Sequence, residues 1–456
     1  MGALIHSDFW PFVVLLMSVS LVVVMITKWR IHPFISLMLC AILVGLISPA
    51  LPPVPGQNHW ITVVELPMAE FGNMAGKIGW VIALAAVIGT AMMESGAAEQ
   101  IVNWLLKRLG EKRAAIALLT SGYILAIPVF FDTVFFLLIP LGITLAQKTG
   151  RDFLLYVLAI GGGAAITHTI VPPTPGPLMV AEILGLDLGT VILVGLVAGL
   201  IPAVVVLAVG KWFNKKTNIP VRVTNEHATS VQNPPSLTLS ILPVAVPLVM
   251  ISFASIVEVV TGDLPGWIAF QGNKNIAMCV GAFIALFLWA RTKKLGSTAL
   301  WEAVAKPLEL AGVIILITSA GGAFGAMIQH SGIGNAISHA TEGFNVSYLL
   351  LAWLIAAVMK IAQGSGTVAM ITTAAIMAAL TGPEFLLPYH PVYIFLSIGF
   401  GSLFIPWMND SGFWVVARMS GLTEKEALRS WTVLLAILSL VGLLQVLLLS
   451  WMFPLV

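Results

Sequence analysis

Residues 153–184 read FLLYVLAIGGGAAITHTIVPPTPGPLMVAEIL, and this stretch decides the fold. Its apolar length suits a bilayer, whose hydrocarbon core requires about 20 residues of helix. Four prolines interrupt it, at Pro172, Pro173, Pro175 and Pro177. Proline lacks the amide N–H and clashes with the preceding turn, so one helix cannot continue through all four. The stretch therefore predicts a broken helix at membrane depth, which is tolerated only where the backbone is buried in protein or lines a wet cavity.

The rest of the chain has the composition of a membrane protein. Of its 456 residues, 59% are hydrophobic and 9% are charged, whereas soluble domains carry about 25% charged residues. The net charge of +2 gives no reason to expect a nucleic-acid partner. Apolar runs recur at 9–27, 33–48, 78–105, 114–146, 153–184, 190–210, 237–260, 276–290, 308–329, 346–381, 391–417 and 431–453. We therefore expect an all-α polytopic membrane protein in a lipid bilayer.

Loop charges predict the orientation, because Lys and Arg concentrate in cytoplasmic loops. Basic residues cluster at 28–30, 107–113, 148–151, 211–222, 291–294 and 418–429. The loops 49–60, 261–273, 340–347 and 381–390 are poor in basic residues, with Lys274 at a loop edge as an exception. The first set is predicted to lie inside and the second outside, which places both termini on the periplasmic side.

One apolar segment, 114–146, has basic loops at both ends. It should therefore enter and leave the membrane on the same side. The segment is too short for two full spans, and Pro128 interrupts it. We predict a re-entrant hairpin with its tip near Pro128–Thr133.

An internal repeat relates the two halves at an offset of 236 residues. Gly89, Ser95, Gly96 and Ile101 recur as Gly325, Ser331, Gly332 and Ile337, and Gly163, Gly176, Gly185 and Leu186 recur as Gly399, Gly412, Gly421 and Leu422. The predicted domains are an N-terminal repeat (1–210), a polar cytoplasmic linker (211–236) and a C-terminal repeat (237–456).

The repeats are predicted to have inverted topology, because corresponding loops differ in charge. The basic loop 107–113 maps onto 343–349, which has no basic residue. We expect about five transmembrane helices and one re-entrant hairpin in each repeat. In secondary transporters, such repeats place the substrate near the midplane at broken helices.

Four interrupted elements are the predicted binding site, at 127–133, 167–177, 363–367 and 406–412. Breaks expose backbone N–H groups at half-helix N-termini, which favour anions. Hydroxyl and amide side chains there suit a small hydroxy acid or polyhydroxy acid. The candidate substrate-binding residues are Thr174, Gly176, Gly364, Ser365, Gly366, Thr367, Asn409, Asp410 and Ser411.

Ionisable residues at membrane depth are costly and indicate function. Asp132 and His168 are candidates for proton coupling, and histidine titrates near neutral pH. The alternatives are a carboxylate that caps a half-helix and a histidine that only packs. Lys360 is a candidate charge partner for a substrate carboxylate or for Asp410, and a purely structural ion pair is an equal alternative.

Enzyme and metal motifs are missing from the sequence: it has no H-E-x-x-H, no G-x-S-x-G and no Cys/His metal pattern. We therefore predict that the chain is not an enzyme and holds no metal or organic cofactor. A transporter of this kind still needs a coupling ion, for which proton and sodium both remain open.

Three motifs carry a resemblance to a known family: T-H-x-x-x-P-P-x-P-G-P at 167–177, G-S-x-T-V at 364–368 and N-D-S-G-F-W at 409–414. Together they resemble the gluconate permease family, and the resemblance covers about residues 10–450. It implies a proton symporter for small carboxylates in a bacterial inner membrane. It also implies a homodimer with a scaffold part and a mobile, hairpin-bearing transport part that works by an elevator-like mechanism.

The chain departs from the family pattern at the predicted site. Asp132 stands where the family usually has Glu, Thr174 where it has His, and Lys360 where it has Arg. Pro406 and Trp407 replace a usual Ser-His pair. These departures leave open which acid is carried and which residue carries the proton.

The sequence thus predicts a secondary active transporter that imports a small organic acid, such as a gluconate-like sugar acid or a hydroxy acid, with protons. One alternative is a sodium-coupled transporter of carboxylates or D-amino acids. Another, of a different class, is a passive channel or facilitator.

Overall fold

The computed structural model describes residues 10–48, 51, 58–217, 219–222, 234–332, 347–381 and 387–455. All regular secondary structure in these ranges is helical. In chain order the α-helices are α1 (Trp10–Thr27), α2 (Pro33–Ile47), α3 (His59–Glu94), α4 (Ala97–Leu109), α5 (Ala114–Leu125), α6 (Phe131–Thr149), α7 (Phe153–Ile170), α8 (Pro175–Ile183), α9 (Leu188–Ala198), α10 (Leu200–Lys216), α11 (Leu237–Thr261), α12 (Gly266–Gly272), α13 (Lys274–Lys293), α14 (Ser297–His330), α15 (Tyr348–Gln363), α16 (Gly366–Leu380), α17 (Val392–Gly401), α18 (Ser411–Ser420), α19 (Glu424–Ala427) and α20 (Val433–Met452).

Eight of the described helical segments are long and apolar enough to cross a membrane. They are His59–Glu94, Phe131–Thr149, Phe153–Ile183, Leu188–Lys216, Leu237–Thr261, Lys274–Lys293, Ser297–His330 and Glu424–Met452. Shorter apolar helices, among them α2, α15, α16 and α17, accompany them. The prediction of an all-helical, multi-pass membrane protein is confirmed.

Two helices are much longer than their apolar runs. The run predicted at 308–329 and most of that at 78–105 belong to α14 and α3, which begin at Ser297 and His59. The added turns carry charged residues such as Glu65 and Glu302, which lower hydropathy without preventing a helix. α3 and α14 pack against each other so closely that a Cβ on Gly322 of α14 would lie 2.6 Å from Cγ of Met74.

Two further expectations need correction. The predicted loop 261–273 contains the short helix α12, whose Trp267 and Phe270 are exposed, as is typical of aromatic residues at a membrane interface. The run 78–105 is not continuous, because α3 ends at Glu94 and Gly96 adopts a left-handed conformation with φ of 74°.

Helices end and restart at all four predicted interruptions. The non-helical connections are 126–130, 171–174, 364–365 and 402–410. The last begins four residues before the predicted 406–412. Pro406 keeps the helix from resuming at the preceding residue, because proline disfavours the α conformation there, and Ile405 has a φ of 45°.

The core lies around α7 and α8, the segment that carries the quoted sequence. Within Phe153–Ile183, 94% of the residues in an apolar stretch of 18 residues are buried inside the protein. The glycine run at 161–163 permits this, since a Cβ on Gly163 would lie 2.4 Å from the carbonyl oxygen of Leu119 in α5. Closely packed small residues are common where membrane helices touch.

Several predicted regions fall outside the described residues. They are residues 49–50 and 52–57 of the predicted loop at 49–60, residues 218 and 223–233 of the linker, most of the predicted loop at 340–347, part of that at 381–390, the repeat residue Ile337, and the terminal residues 1–9 and 456. At the start of the predicted linker, α10 continues to Lys216. Lys215 and Lys216 in its last turn favour this extension, because cations stabilise a helix C-terminus.

Candidate functional site

A cavity of about 650 Å³ lies where the broken elements meet. One wall is polar and contains Asp132, Thr133, His168, Lys360, Ser365, Thr367, Asp410 and Ser411. Another part of the lining, called the apolar wall below, contains Leu310, Val313, Ile314 and Ile317 of α14, together with Phe130, Phe131 and Trp431. A volume of this size is typical of small-molecule sites.

The start of α16 presents backbone donors to the cavity. Gly364 has a φ of 80°, a left-handed conformation that glycine adopts without strain. Ser365 then caps the helix, and its side chain accepts a hydrogen bond of 3.3 Å from Val368 N–H. The first amides of a helix have no partner within that helix, so Gly366 and Thr367 hold free N–H groups at the cavity wall.

The start of α18 is built in the same way. Asp410 is its N-cap, and Oδ1 accepts a hydrogen bond of 2.7 Å from Phe413 N–H. Ser411 and Gly412 follow at the cavity wall, again as the first residues of a helix. Two helix N-termini, each with positive dipole character, therefore face the same space.

Lys360 joins the two breaks of the second half. Its ammonium donates a hydrogen bond of 2.9 Å to the Gly364 carbonyl and forms an ion pair with Oδ2 of Asp410. Both residues are only 6% exposed. Asp410 is one of the two partners predicted for Lys360.

The first half contributes Asp132 and His168. Asp132 is the second residue of α6, and it lines the same cavity as Asp410. His168 lies in the last turn of α7, and its Nδ1 is buried without a hydrogen-bond partner in the described part of the chain. His168 and Lys360 line the same cavity.

The helix ends from the two halves meet in pairs. A Cβ on Gly412 in α18 would lie 3.4 Å from Cε1 of Phe131 in α6. A Cβ on Gly176 in α8 would lie 2.8 Å from Sδ of Met370 and 3.8 Å from Cα of Thr367 in α16. Each break of the first half thus abuts a break of the second.

Most of the predicted site residues are brought together by the fold. The cavity is lined by Asp132, His168, Lys360, Gly364, Ser365, Gly366, Thr367, Asp410 and Ser411. Thr174, Gly176 and Asn409 are not among the lining residues.

Two of these three residues bind backbone groups next to the cavity instead. The Thr174 hydroxyl donates to the carbonyls of His168 and Val171, at 3.0 and 2.9 Å, and so closes the C-terminus of α7. Asn409 Nδ2 donates to the Ile361 carbonyl at 2.8 Å. Contact between these residues and a substrate stays a prediction.

The apolar wall was not predicted from sequence. Leu310, Val313, Ile314 and Ile317 look like lipid-facing residues of an ordinary membrane helix. Trp431 stacks on Phe131 with ring centroids 5.8 Å apart, and it lies in a π-helical turn, Leu428–Thr432. π-bulges are frequent at functional sites, but no sequence signal marks this one.

Within the described ranges, no three His, Cys, Asp or Glu side chains come together as a metal site.

An apolar helical chain with a buried, partly charged cavity between broken helices defines the class of polytopic membrane transporters. Residues 10–452 match the GntP family of permeases. The chain belongs to this family, which confirms the resemblance carried by the three motifs.

Several curated proteins are similar over nearly their whole length. A gluconate permease of Pseudomonas aeruginosa is 31% identical over 95% of this chain and 96% of its own length. The Gnt-II system L-idonate transporter of Escherichia coli is 30% identical over 96% and 98%. An uncharacterised permease of Haemophilus influenzae is 33% identical over 93% and 88%. The relatives are permeases and transporters, in agreement with a non-enzymatic role.

Two solved structures share the fold at low sequence identity. The Alcanivorax borkumensis YdaH transporter has a TM-score of 0.66 and 15% identity, over 93% of this chain and 99% of its own. Neisseria gonorrhoeae MtrF has a TM-score of 0.68 and 16% identity, over 95% and 97%.

Proposed function

We propose that this protein is a secondary active transporter that imports a small organic acid, such as a sugar acid or hydroxy acid, together with protons. The observation that carries the proposal is the position of the Asp132 carboxyl in a cavity where two helix N-termini supply free N–H groups. The names of the relatives, gluconate and L-idonate transporters, support the substrate class.

The anion would bind at the starts of α16 and α18. Free amides of Gly366, Thr367, Ser411 and Gly412 can hydrogen-bond a carboxylate, and both helix dipoles favour it. The hydroxyls of Thr133, Thr367 and Ser411 can hydrogen-bond substrate hydroxyls. Thr174, Gly176 and Asn409 complete the proposed site as residues that hold these groups in place.

Proton coupling follows from the charges of the cavity. Lys360 neutralises Asp410 through their ion pair, so Asp132 is the carboxylate that an anionic substrate would meet. Two unpaired anions in one buried cavity repel strongly. A proton on Asp132 removes this repulsion, and His168 at the same wall is a route for that proton. Binding of the proton therefore favours binding of the acid, and binding of the acid favours binding of the proton.

The proposed architecture is two repeats of inverted topology in a bacterial inner membrane, with both termini periplasmic. Helix bounds support the repeat: α3, shifted by 236 residues, covers 295–330, and α14 is Ser297–His330. The break between α5 and α6 and the break between α15 and α16 are related by the same shift of 236 residues. Both helix pairs suit re-entrant hairpins. A homodimer with an elevator-like motion belongs to the same proposal.

The cavity is proposed to open toward the cytoplasm. Two parts of its lining are close in sequence to basic loops. Pro33 comes shortly after Lys28 and Arg30, and α14 begins shortly after Lys293 and Lys294. Basic residues of this kind mark cytoplasmic loops.

Uptake into proteoliposomes tests this function. A panel of gluconate, L-idonate, smaller hydroxy acids and D-amino acids is supplied outside, with a pH gradient imposed or absent and sodium replaced by choline. We expect accumulation of at least one acid that requires the pH gradient and ignores sodium. Accumulation that follows a sodium gradient instead indicates sodium coupling, and equilibration without accumulation under any gradient indicates a passive facilitator.

A further inference from the structure

The Lys360 ammonium is bound by oxygens of the kinds that also hold free cations. It lies 2.9 Å from the Gly364 carbonyl oxygen and beside the Asp410 carboxylate. The carbonyl belongs to the residue that follows α15, at the end of the helix where the dipole is negative. Nζ of Lys360 also lies 3.8 Å from the position that a Cβ on Gly366 would take. The ammonium is therefore close to the start of α16 as well as to the Gly364 carbonyl and the Asp410 carboxylate.

Broken membrane helices use these groups to hold free cations. Unwound backbone carbonyls and half-helix C-terminal ends coordinate Na⁺ in secondary transporters. The Ile361 carbonyl near this break is already engaged, because it accepts hydrogen bonds from Asn409 Nδ2 and Trp407 Nε1, at 2.8 and 2.9 Å. Two further oxygens, Oε1 of Gln363 and Oδ1 of Asn409, are buried without a partner in the described part of the chain. The Gly364 carbonyl and the second oxygen of Asp410 are the ones that bind Lys360.

We propose that Lys360 is a tethered cation that fills a monovalent-cation site, and that without its ammonium the same oxygens bind a small free cation such as methylammonium or Na⁺. The site is reachable, because Lys360, Gly364 and Asp410 all line the cavity. For the transport function proposed above, on which this consequence rests, the second half then needs no free cation, and coupling falls to Asp132 and His168.

The test is cation-dependent stabilisation of purified Lys360→Ala protein. Unfolding is followed by tryptophan fluorescence in methylammonium, sodium or choline chloride at equal ionic strength. A cation that binds only the folded state raises the Tm in a saturable way. We expect methylammonium or sodium to raise the Tm of Lys360→Ala by at least about 2 °C over choline, and to leave the unsubstituted protein unchanged.

Two further variants show where the cation binds. Lys274→Ala is the matched control, because Lys274 also forms a partly buried ion pair, with Glu182, but does not line this cavity. It should not respond. Lys360→Ala combined with Asp410→Asn lacks the carboxylate and should not respond either. An equal response in choline, in Lys274→Ala or in the double variant overturns the proposal, and so does no response in Lys360→Ala.

A folding defect does not leave the question open. If Lys360→Ala cannot be recovered in choline, both Lys360→Ala and Lys360→Gln are extracted in methylammonium or sodium. Recovery of folded protein only with these cations supports the proposal. Failure of both variants in every cation contradicts it. The assay needs no substrate, so its outcome is separate from whether the protein couples transport to protons.

Discussion

The ammonium of Lys360 in α15 forms a buried ion pair with the carboxylate that caps α18, Asp410. The pair connects the helix breaks at 364–365 and 402–410 through two residues that are 50 positions apart in the chain. The same carboxylate accepts the Phe413 N–H. The start of α18 is therefore positioned by a charge that comes from α15.

Loss of one partner of this pair should destabilise the fold. Asp410→Asn leaves the Lys360 ammonium buried and weakens the cap, and breaking a buried pair costs about 3–5 kcal/mol. We expect a clear fall in Tm and loss of uptake. Lys360→Met with Asp410→Asn removes both charges and should recover part of the Tm. A double variant that is less stable than Asp410→Asn would contradict this account of the pair.

Asp132 is expected to couple substrate to protons. Asp132→Asn keeps the shape of the side chain but cannot exchange a proton, so uphill uptake should be abolished while exchange of labelled for unlabelled substrate persists. Asp263→Asn, a change in the exposed connection after α11, is the control and should behave as the unsubstituted protein. Unchanged uphill uptake by Asp132→Asn would exclude Asp132 as the coupling residue.

The Ser365 side chain should act mainly through the helix that it caps. Ser365→Ala removes the acceptor for Val368 N–H, and the loss of a cap costs about 1 kcal/mol. Thr367→Val, by contrast, removes a hydroxyl from the cavity wall and should raise KM with little change in Tm. Uptake kinetics and unfolding curves of the two variants separate these effects, and the reverse pattern would refute the assignment.

Close contact between α5 and α7 should make Gly163 intolerant of a side chain. Gly163→Ala would place a Cβ 2.4 Å from the Leu119 carbonyl oxygen, and overpacking of this kind costs about 1–3 kcal/mol. Gly76→Ala is the matched control, because nothing lies within 4 Å of its Cβ position. Equal Tm values for the two variants would show that the helices are not this close.

The cavity should be reached from the cytoplasmic side. A cysteine at Val313, in a background with Cys40 and Cys279 replaced by serine, should react with a membrane-impermeant maleimide faster in inside-out than in right-side-out vesicles. A cysteine at Ala374, which is fully buried, is the unreactive control. Faster labelling in right-side-out vesicles would reverse the proposed direction of opening.

The interruptions of the helices could be predicted because proline and glycine act locally. Pro172 to Pro177 end α7, and Gly364 ends α15, whatever surrounds them. Ionisable residues in apolar runs are equally visible in the sequence. Asp132, His168, Lys360 and Asp410 are of this kind, and all four line the cavity.

Features that depend on tertiary contacts could not be predicted in this way. The sequence does not show that Ile314 faces a cavity while similar residues elsewhere face lipid. It also does not show that the Thr174 hydroxyl is used by the carbonyl of His168. The basic exception Lys274 is explained only by the fold, which pairs it with Glu182 at the end of α8.

Proton movement driven by substrate tests the central claim most directly. Proteoliposomes that contain a pH-sensitive dye, in sodium-free buffer at equal pH on both sides, receive gluconate or the acid that the uptake panel selects. We predict acidification of the interior with the unsubstituted protein and none with Asp132→Asn. Uptake of the labelled acid without acidification, or acidification and uptake only when sodium is added, would contradict proton-coupled import.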